Sequence, residues 1–558
     1  MSLNCEGRPA TSFSPDRLRS FVARACDRLE DSRIRKLMST FKLLLPLFGT
    51  ATMFAQVIPL RDWTVPAATG KPTIACTDLR SLTNFEYSVV TAGVIAGGAA
   101  APEHCRVRIF IQPALNIEVK LPTAWNGRLY MFGNGGWAGE AFDTPGRMAT
   151  AARGLRAGFV TASTDTGHSA AVEPGASFAL NRQELLDYGF RSLHLTAELA
   201  KLMAKTYYGA GPQKSYYEGC SQGGRQGLTL AQRFPNDFDG IIAGAPGLYQ
   251  TATHLSRAYW MQAMNANPFP ASKLGLLAKW VYEHCDAKDG LKDGLIDDPR
   301  RCDFQPAKDL PRCDAEADGP DCFTADQVKA LEHIYGDVMS QGKRFFPGWP
   351  VGAEVAGPNG QSGWLGQEIP GATGSSTWTA YGYNFLRFVA PGVLGGKVDD
   401  DPVRAFRGFD INSAPAKVEE FRQIIDATDA DLTAFRKHGG KLLMYFGWAD
   451  PQLNPKMGVE YYERVQSAMG ESTGDFFRLF MVPGMFHCGG GIGTSQFDAT
   501  TPLLAWVEQA KAPSRIEAAR VVEGKVVRTR PLCAYPEVAK YKGSGSIDDA
   551  ASFACGKP

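Results

Sequence analysis

Five residues, Gly219-Cys220-Ser221-Gln222-Gly223, restrict the folds open to this chain more than any other segment. Tyr216-Tyr217-Glu218 before them reads as a short strand, and Gly224 to Arg233 after them is compatible with a helix. A Gly-x-Ser-x-Gly run between a strand and a helix makes a sharp turn, with small residues on either side. That turn lifts the serine oxygen from the sheet edge and brings the next backbone N–H beside it. The pentapeptide alone is common in turns. The strand before it and the helix after it give it weight.

The neighbouring segments alternate in the same way. Residues 126–132 read as a strand leading into Gly133-Asn134-Gly135-Gly136, and residues 158–164 as another. Residues 184–207 carry Leu186, Phe190, Leu193, Ala197 and Ala200 near helical spacing, and Phe238 to Ala245 read as the next strand. Alternating strands and helices indicate an α/β sheet. After about residue 250 the pattern weakens into a stretch rich in Gly, Pro, Trp and Tyr, and it resumes at Lys441-Leu-Leu-Met-Tyr-Phe446. The expected layout is an N-terminal extension over 1–55, a core over 56–250 and 436–558, and an inserted lid-like module over 251–435.

A serine is weakly nucleophilic until a base takes its proton. On a strand-turn-helix of this kind the acid and the histidine follow the serine in the chain. Asp450, in Gly447-Trp448-Ala449-Asp450-Pro451, and His487, in Gly484-Met485-Phe486-His487-Cys488, stand in that order. His487 is expected to act as base and then as acid, and Asp450 to orient its ring. His168 precedes the serine, which makes it a shaping residue rather than the base. Gly136, with Gly135 second, and Gln222 are the expected oxyanion donors through their backbone N–H groups. The glycine run has no G-x-G-x-x-G pattern and no following Gly-Lys-Ser/Thr, which argues against a nucleotide loop.

Arg33, Arg35 and Lys36 precede an apolar stretch from Phe41 to Phe54, a pattern of export-signal length that is too short to span a bilayer. Of twelve cysteines, ten lie beyond that segment: Cys76, Cys105, Cys220, Cys285, Cys302, Cys313, Cys322, Cys488, Cys533 and Cys555. An even set in an exported chain indicates disulfides, and hence a secreted or periplasmic protein. Spacing does not fix the pairing, but a Cys220–Cys488 bond would pin the nucleophile turn to the histidine loop. The net charge of +1 carries no basic field for nucleic acid, and no membrane partner is expected. Asp286, Asp289 and Asp293, with the Leu291 and Leu295 carbonyls, offer an oxygen set suited to calcium in a structural role. The spacing differs from an EF-hand, and a solvated acidic turn is the plainer reading of the segment taken alone.

Taken together, Gly219-Cys220-Ser221-Gln222-Gly223-Gly224, Phe234-Pro235-Asn236-Asp237-Phe238-Asp239-Gly240, Gly447-Trp448-Ala449-Asp450-Pro451, His487-Cys488 and Thr164-Asp165-Thr166-Gly167-His168 resemble the tannase/feruloyl esterase family. That family includes hydrolases of mono(hydroxyethyl) terephthalate. The resemblance spans roughly residues 70–555. It implies an α/β-hydrolase core with a large lid, a Ser221–Asp450–His487 triad, and calcium at Asp286, Asp289, Leu291, Asp293 and Leu295. It also implies disulfides 76–105, 220–488, 285–302, 313–322 and 533–555. The implied activity is serine esterase action on esters of aromatic acids, free or attached to a plant-derived polymer, with no organic cofactor.

Terephthalate half-esters are the alternative substrates. Relatives often carry a histidine where this chain has Phe446, a difference expected at the pocket wall, with Leu453 as a second wall position. Arg387 is the candidate lid arginine for a distal carboxylate. Trp364, Trp378, Tyr381, Tyr383, Phe385 and Phe388 make the insertion aromatic; some are expected over an acyl group, although core packing is the commoner role for any one of them. A calcium-dependent carbohydrate-binding protein is the alternative of another class.

Overall fold

The computed structural model describes residues 70–314, 317–357, 361–370 and 376–558. The expected export segment at 1–55 lies outside them. Strands β1 (Ser88–Ile95), β2 (His104–Ile111), β3 (Leu115–Pro122), β4 (Arg128–Phe132), β5 (Val160–Thr164), β6 (Lys214–Cys220) and β7 (Gly240–Gly244) precede the insertion. The insertion carries the hairpin β8 (Val338–Ser340) and β9 (Lys343–Phe346); β10 (Lys441–Gly447) and β11 (Phe477–Val482) follow it. Nine of these form one sheet in the order β1-β2-β3-β5-β4-β6-β7-β10-β11. The pairs from β1 through β5 are antiparallel, and from β5 to β11 every pair is parallel.

The parallel half explains the sequence pattern. Every residue of β5 and β7 is buried. Strands covered on both faces by helices read as continuous apolar runs rather than alternating ones. Glycine within β7 has a packing reason. A Cβ on Gly244 would fall 2.3 Å from the Tyr445 ring of β10, so the tyrosine fills the space a side chain there would need. An α/β-hydrolase core with an inserted lid is the architecture that results.

The expected helix over 184–207 is broken. A short helix, Arg182–Leu186, passes through a π turn at Asp187–Arg191 into the helix Ser192–Tyr208. The π turn releases carbonyls from the helical ladder. The buried Arg225 guanidinium takes two of them, donating from Nη2 to Tyr188 O and from Nη1 to Gly189 O, both at 2.9 Å. Hydrophobic spacing alone does not register such a break.

Between β7 and β10 the chain forms several helices, among them Gln250–Ala266, Leu274–Cys285, Ala325–Tyr335 and Thr377–Asn384. Trp260, Trp349 and Trp378 are fully buried and cluster with ring centroids 4.5–5.4 Å apart. Trp349 donates from Nε1 to Asp450 O at 3.3 Å, and Trp378 to Pro451 O at 3.2 Å. The core of the insertion therefore holds the loop that follows β10. After β11, a small sheet of β12 (Gln496–Phe497), β13 (Arg515–Val522) and β14 (Lys525–Cys533) precedes the hairpin β15 (Val538–Tyr541) and β16 (Phe553–Gly556). All five expected disulfides are present, 76–105, 220–488, 285–302, 313–322 and 533–555, and they fit an extracytoplasmic protein. Among the described residues no helix is long and apolar enough to cross a membrane.

Candidate active site

Ligand sites of open α/β sheets form beyond the C-terminal ends of the parallel strands. Gly136 lies beyond β4, Ser221 beyond β6, Gly247 beyond β7, Asp450 beyond β10 and His487 beyond β11. Ser221 is the single residue between β6 and the helix Gln222–Arg233, at φ 63° and ψ −121°. Its N–H donates to Gly244 O at 2.9 Å, and its carbonyl accepts from Arg225 N at 3.0 Å. The turn leaves no room at its start: a Cβ on Gly219 would lie 2.6 Å from the Gly223 carbonyl. The serine holds a backbone conformation that costs energy because both flanks are pinned.

Asp450 is fully buried. Its Oδ1 accepts from the Gln452 and Leu453 N–H groups at 2.8 and 2.9 Å, and its Oδ2 lies 2.7 Å from His487 Nδ1. With Nδ1 engaged by the carboxylate, Nε2 is the ring nitrogen left for a neighbouring hydroxyl. Cys220 and Cys488 are bonded, with Cα atoms 6.0 Å apart, so Ser221 and His487 are each one residue from the same covalent bridge. Both line one cavity together with Gly136, Gln222, Tyr381 and Leu453.

The backbone donors of the glycine run are accounted for one by one. Gly133 N donates to Glu218 O, Asn134 N to Gln226 Oε1, and Gly135 N to Glu140 Oε1. Gly136, at φ 50°, is the member of the run that lines the cavity. Gln222, which also lines the cavity, opens a helix, where the first backbone N–H groups lack intrahelical acceptors.

Other expectations are corrected. Arg387 does not reach the cavity. It pairs with Asp400 at 2.7 Å and with the Tyr383 hydroxyl at the surface, because its π turn, Phe385–Val389, directs Phe385 and Leu386 inward instead. Phe446 is no wall residue; it packs against Gly458 in the core, where a Cβ would lie 2.7 Å from its ring. Leu453 does line the cavity. Of the insertion's aromatics, Tyr381 lines it, while Trp364, Trp378 and Phe385 are fully buried. His168 stacks on Phe178 at 4.0 Å, and burial pulls its pKa down to about 4.

One group of wall residues escaped the sequence reading. Gln250, Thr253, His254 and Arg257 all line the cavity from the first two turns of the helix Gln250–Ala266. Their spacing, i, i+3, i+4 and i+7, places them on one face. His254 stacks between Trp137, at 4.9 Å, and Phe385, at 5.1 Å, and Tyr381 lies parallel to it at 6.1 Å. Burial, reinforced by Arg257, holds the His254 pKa far below its ordinary value, so the ring is neutral.

Away from the cavity, the aspartate loop folds onto its own backbone. Asp286 Oδ1 accepts from Asp293 N and Gly294 N, Asp289 Oδ1 from Leu291 N, and Asp293 Oδ1 from Leu295 N, at 2.9–3.1 Å. Arg530 on β14 donates to Asp293 Oδ2 at 2.5 Å. Asp297 also belongs to this crowd: burial, with Asp289 next, pushes its pKa up to about 7. Nearby, His284, Cys302 and Asp303 bring ligand-type atoms within 4.8 Å of one another, a cluster compatible with a metal site. The Cys302 sulfur is bonded to Cys285, so it offers no thiolate.

The family profile "Tannase and feruloyl esterase" matches residues 102–556. A mono(2-hydroxyethyl) terephthalate hydrolase from Piscinibacter sakaiensis is 35% identical over 84% of this chain and 87% of its own. Feruloyl esterase B from Aspergillus niger is 30% identical over 85% and 90%. The crystal structure of feruloyl esterase B from Aspergillus oryzae superposes with a TM-score of 0.72 at 27% identity, covering 86% of this chain and 99% of that one. A match over most of the chain, on a sheet whose parallel edge carries the serine turn, makes this ester hydrolase a member of the tannase and feruloyl esterase family.

Proposed function

We propose that the protein hydrolyses esters of aromatic acids, of the hydroxycinnamic or gallic type, through an acyl-enzyme on Ser221. The observation that carries the reading is the buried His487–Asp450 pair at 2.7 Å on the wall of a cavity that Ser221 also lines. Ser221 Oγ attacks the ester carbonyl as His487 Nε2 takes its proton. The Gly136 and Gln222 N–H groups stabilise the negative oxygen. The C–O bond to the alcohol then breaks and His487 protonates the leaving alcohol. Water, losing a proton to His487, attacks the acyl carbon and releases the acid, and the proton returns to Ser221. Asp450 keeps the imidazole in the required tautomer throughout.

The cavity has a volume of about 40 Å3, with Tyr381 on its wall. Terephthalate half-esters are the second reading, favoured by the 35% identical relative named for that substrate.

Calcium is the proposed ion of the aspartate loop, held by the Asp286, Asp289 and Asp293 carboxylates and the Leu291 and Leu295 carbonyls. The donors are hard oxygens, and a divalent cation relieves the repulsion among crowded acids. The ion braces the insertion against β14, the strand that bears Arg530. Export through a signal within residues 1–55, to the periplasm or the medium, completes the proposal. The test is a panel of feruloyl, galloyl and terephthalate half-esters with wild type and Ser221→Ala in parallel. Hydrolysis that disappears in the variant is expected; full activity in it rejects the mechanism.

A further inference from the structure

Arg257 is 3% exposed, yet no carboxylate pairs with it among the described residues. Its Nη2 donates to the Gln452 carbonyl, its Nη1 lies 3.4 Å from His254 Nδ1, and its Nε is buried without a partner. Its guanidinium sits 5.2 Å from the centre of the Tyr381 ring. These are neutral contacts; Glu368 and Asp450 lie near enough for their charge to favour the guanidinium, but among the described residues neither forms an ion pair with it. A buried unpaired cation costs several kcal/mol, so a fold that keeps one has a use for it or loses stability to it.

The charges that face it do not supply the missing partner. The Asp450 oxygens are taken by His487 Nδ1 and the Gln452 and Leu453 N–H groups, not by the guanidinium. Glu368, 1% exposed, has both carboxylate oxygens buried without a partner, and burial pushes its pKa well up, which favours its neutral form. His254 is neutral. Burial lowers the Arg257 pKa to about 10, which leaves the guanidinium charged at neutral pH. The wall it occupies belongs to the same cavity as Ser221 and His487, and that wall carries further unmet polar atoms: Gln222 Nε2 and Gln250 Oε1. Unmet buried groups are rare in folded proteins and collect where a ligand completes them.

Resting on the reading of this cavity as the ester-hydrolysis site, we propose that Arg257 recognises a carboxylate carried by the substrate. The preferred substrates are then acidic esters of aromatic acids. A planar guanidinium suits a carboxylate through parallel N–H donors. The helix positions it two turns from the strand end, on the face that already carries Gln250 and His254. The carboxylate belongs either to the acyl part, as in a half-ester of an aromatic diacid, or to the alcohol part, as in a hydroxycinnamoyl ester of a hydroxy acid. The chemistry is the same.

Two ester pairs separate these sources: monomethyl against dimethyl terephthalate, and a feruloyl ester whose alcohol bears a carboxylate against methyl ferulate. Wild type is expected to prefer the charged member of at least one pair. In Arg257→Met that preference, as the ratio of kcat/KM values, falls by roughly 30-fold or more, the least expected for one truncated partner of a buried charge pair. The loss lies mainly in KM, and Arg257→Lys recovers part of it. An effect on the first pair alone places the anion on the acyl side; an effect on the second alone places it on the alcohol side. No preference in wild type, or an equal fall on all four esters, overturns the proposal and makes Arg257 a strut for the Gln452 loop. Should Arg257→Met not fold, wild type is inhibited with terephthalate and terephthalamide; equal or absent inhibition overturns the proposal. If wild type hydrolyses none of the esters but calorimetry shows terephthalate binding that Arg257→Met lacks, the anion site stands and the esterase reading falls.

Discussion

Replacing Cys220 and Cys488 together by serine separates two effects of one bond. Their Cα atoms are 6.0 Å apart across 268 residues of sequence. Loop-closure entropy restrains the unfolded chain by about 3 kcal/mol for a loop of about 15 residues and about 4.7 kcal/mol for about 100. Its logarithmic growth takes this loop to between about 5 and 6 kcal/mol. The bridges 285–302 and 313–322 lie inside the loop but shorten it only slightly, so the figure barely changes. This is the largest contribution expected from any of the five bridges. The second effect is positional. Ser221 and His487 adjoin the bridge, and a misplacement of about 1 Å costs roughly 100-fold in rate.

The double variant should lose several kcal/mol in denaturant titration and about 100-fold in kcat on methyl ferulate below its melting temperature. A Cys533→Ser, Cys555→Ser control opens a loop of 22 residues in the C-terminal hairpin and should lose stability with little change in kcat. Unfolding within about 1 kcal/mol of wild type, together with kcat within about twofold, refutes the reasoning. Lost stability with full kcat would leave the bridge a staple and remove its positioning role.

Asp450→Asn keeps the buried shape but removes the acceptor for His487 Nδ1, so kcat should fall about 10,000-fold with little change in melting temperature; a fall under tenfold would exclude Asp450 as the orienting acid. Gly136→Ala places a methyl 2.6 Å from the Tyr381 hydroxyl at a φ of 50°, and kcat should fall about 100-fold with the disturbed oxyanion donor; unchanged kcat would assign that donor elsewhere. Asp426 is buried against Thr251, and burial pushes its pKa up to about 7. The folded state keeps a proton that the unfolded state releases above about pH 4, so stability falls by roughly 4 kcal/mol as pH rises from about 4 to 7. Urea midpoints for Asp426→Asn should lack that decline; an unchanged pH profile refutes it. Chelation should lower the melting temperature, by about 2.7 kcal/mol of stability from a calcium level about 100 times its Kd; unchanged melting, with no calcium by metal analysis, refutes the site.

The parts of the site legible in the sequence are those whose local backbone is demanding. Gly219 and Gly223 are required by a turn with no room for side chains, so the serine between them stands out. Asp450 and His487 follow from chain order, since each lies just past a buried strand that reads as an apolar run. Arg257 was missed for the opposite reason. Its helix demands nothing unusual, and an arginine in a helix ordinarily faces solvent. The polar stripe Gln250, Thr253, His254 and Arg257 was still a signal, because it occupies the start of a helix just after a core strand. Arg387 misled because the aromatic residues around it suggested a pocket, whereas the π turn Phe385–Val389 shifts the helical register by one residue and carries it outward. Periodicity does not anticipate such a break in the helix.

The backbone shows why this site needs both ends of the chain. Eight non-glycine residues among those described have positive φ. Five of them, Ala138, Thr166, Ser221, Ala245 and Cys488, sit beyond the C-terminal ends of parallel strands β4, β5, β6, β7 and β11. Each such residue costs of order 1–3 kcal/mol, so the cluster cannot persist on local preference. For three of them the support is nonlocal. The Ser221 N–H is held by Gly244, the Ala245 N–H by Tyr445, and Cys488 by its bond to Cys220. Each of these three supports joins a segment before the insertion to one after it, or one strand end to the next. A fragment ending before β10 therefore lacks more than Asp450 and His487: it lacks the contacts that keep Ala245 and the Cys220–Ser221 turn strained, and its serine turn should relax.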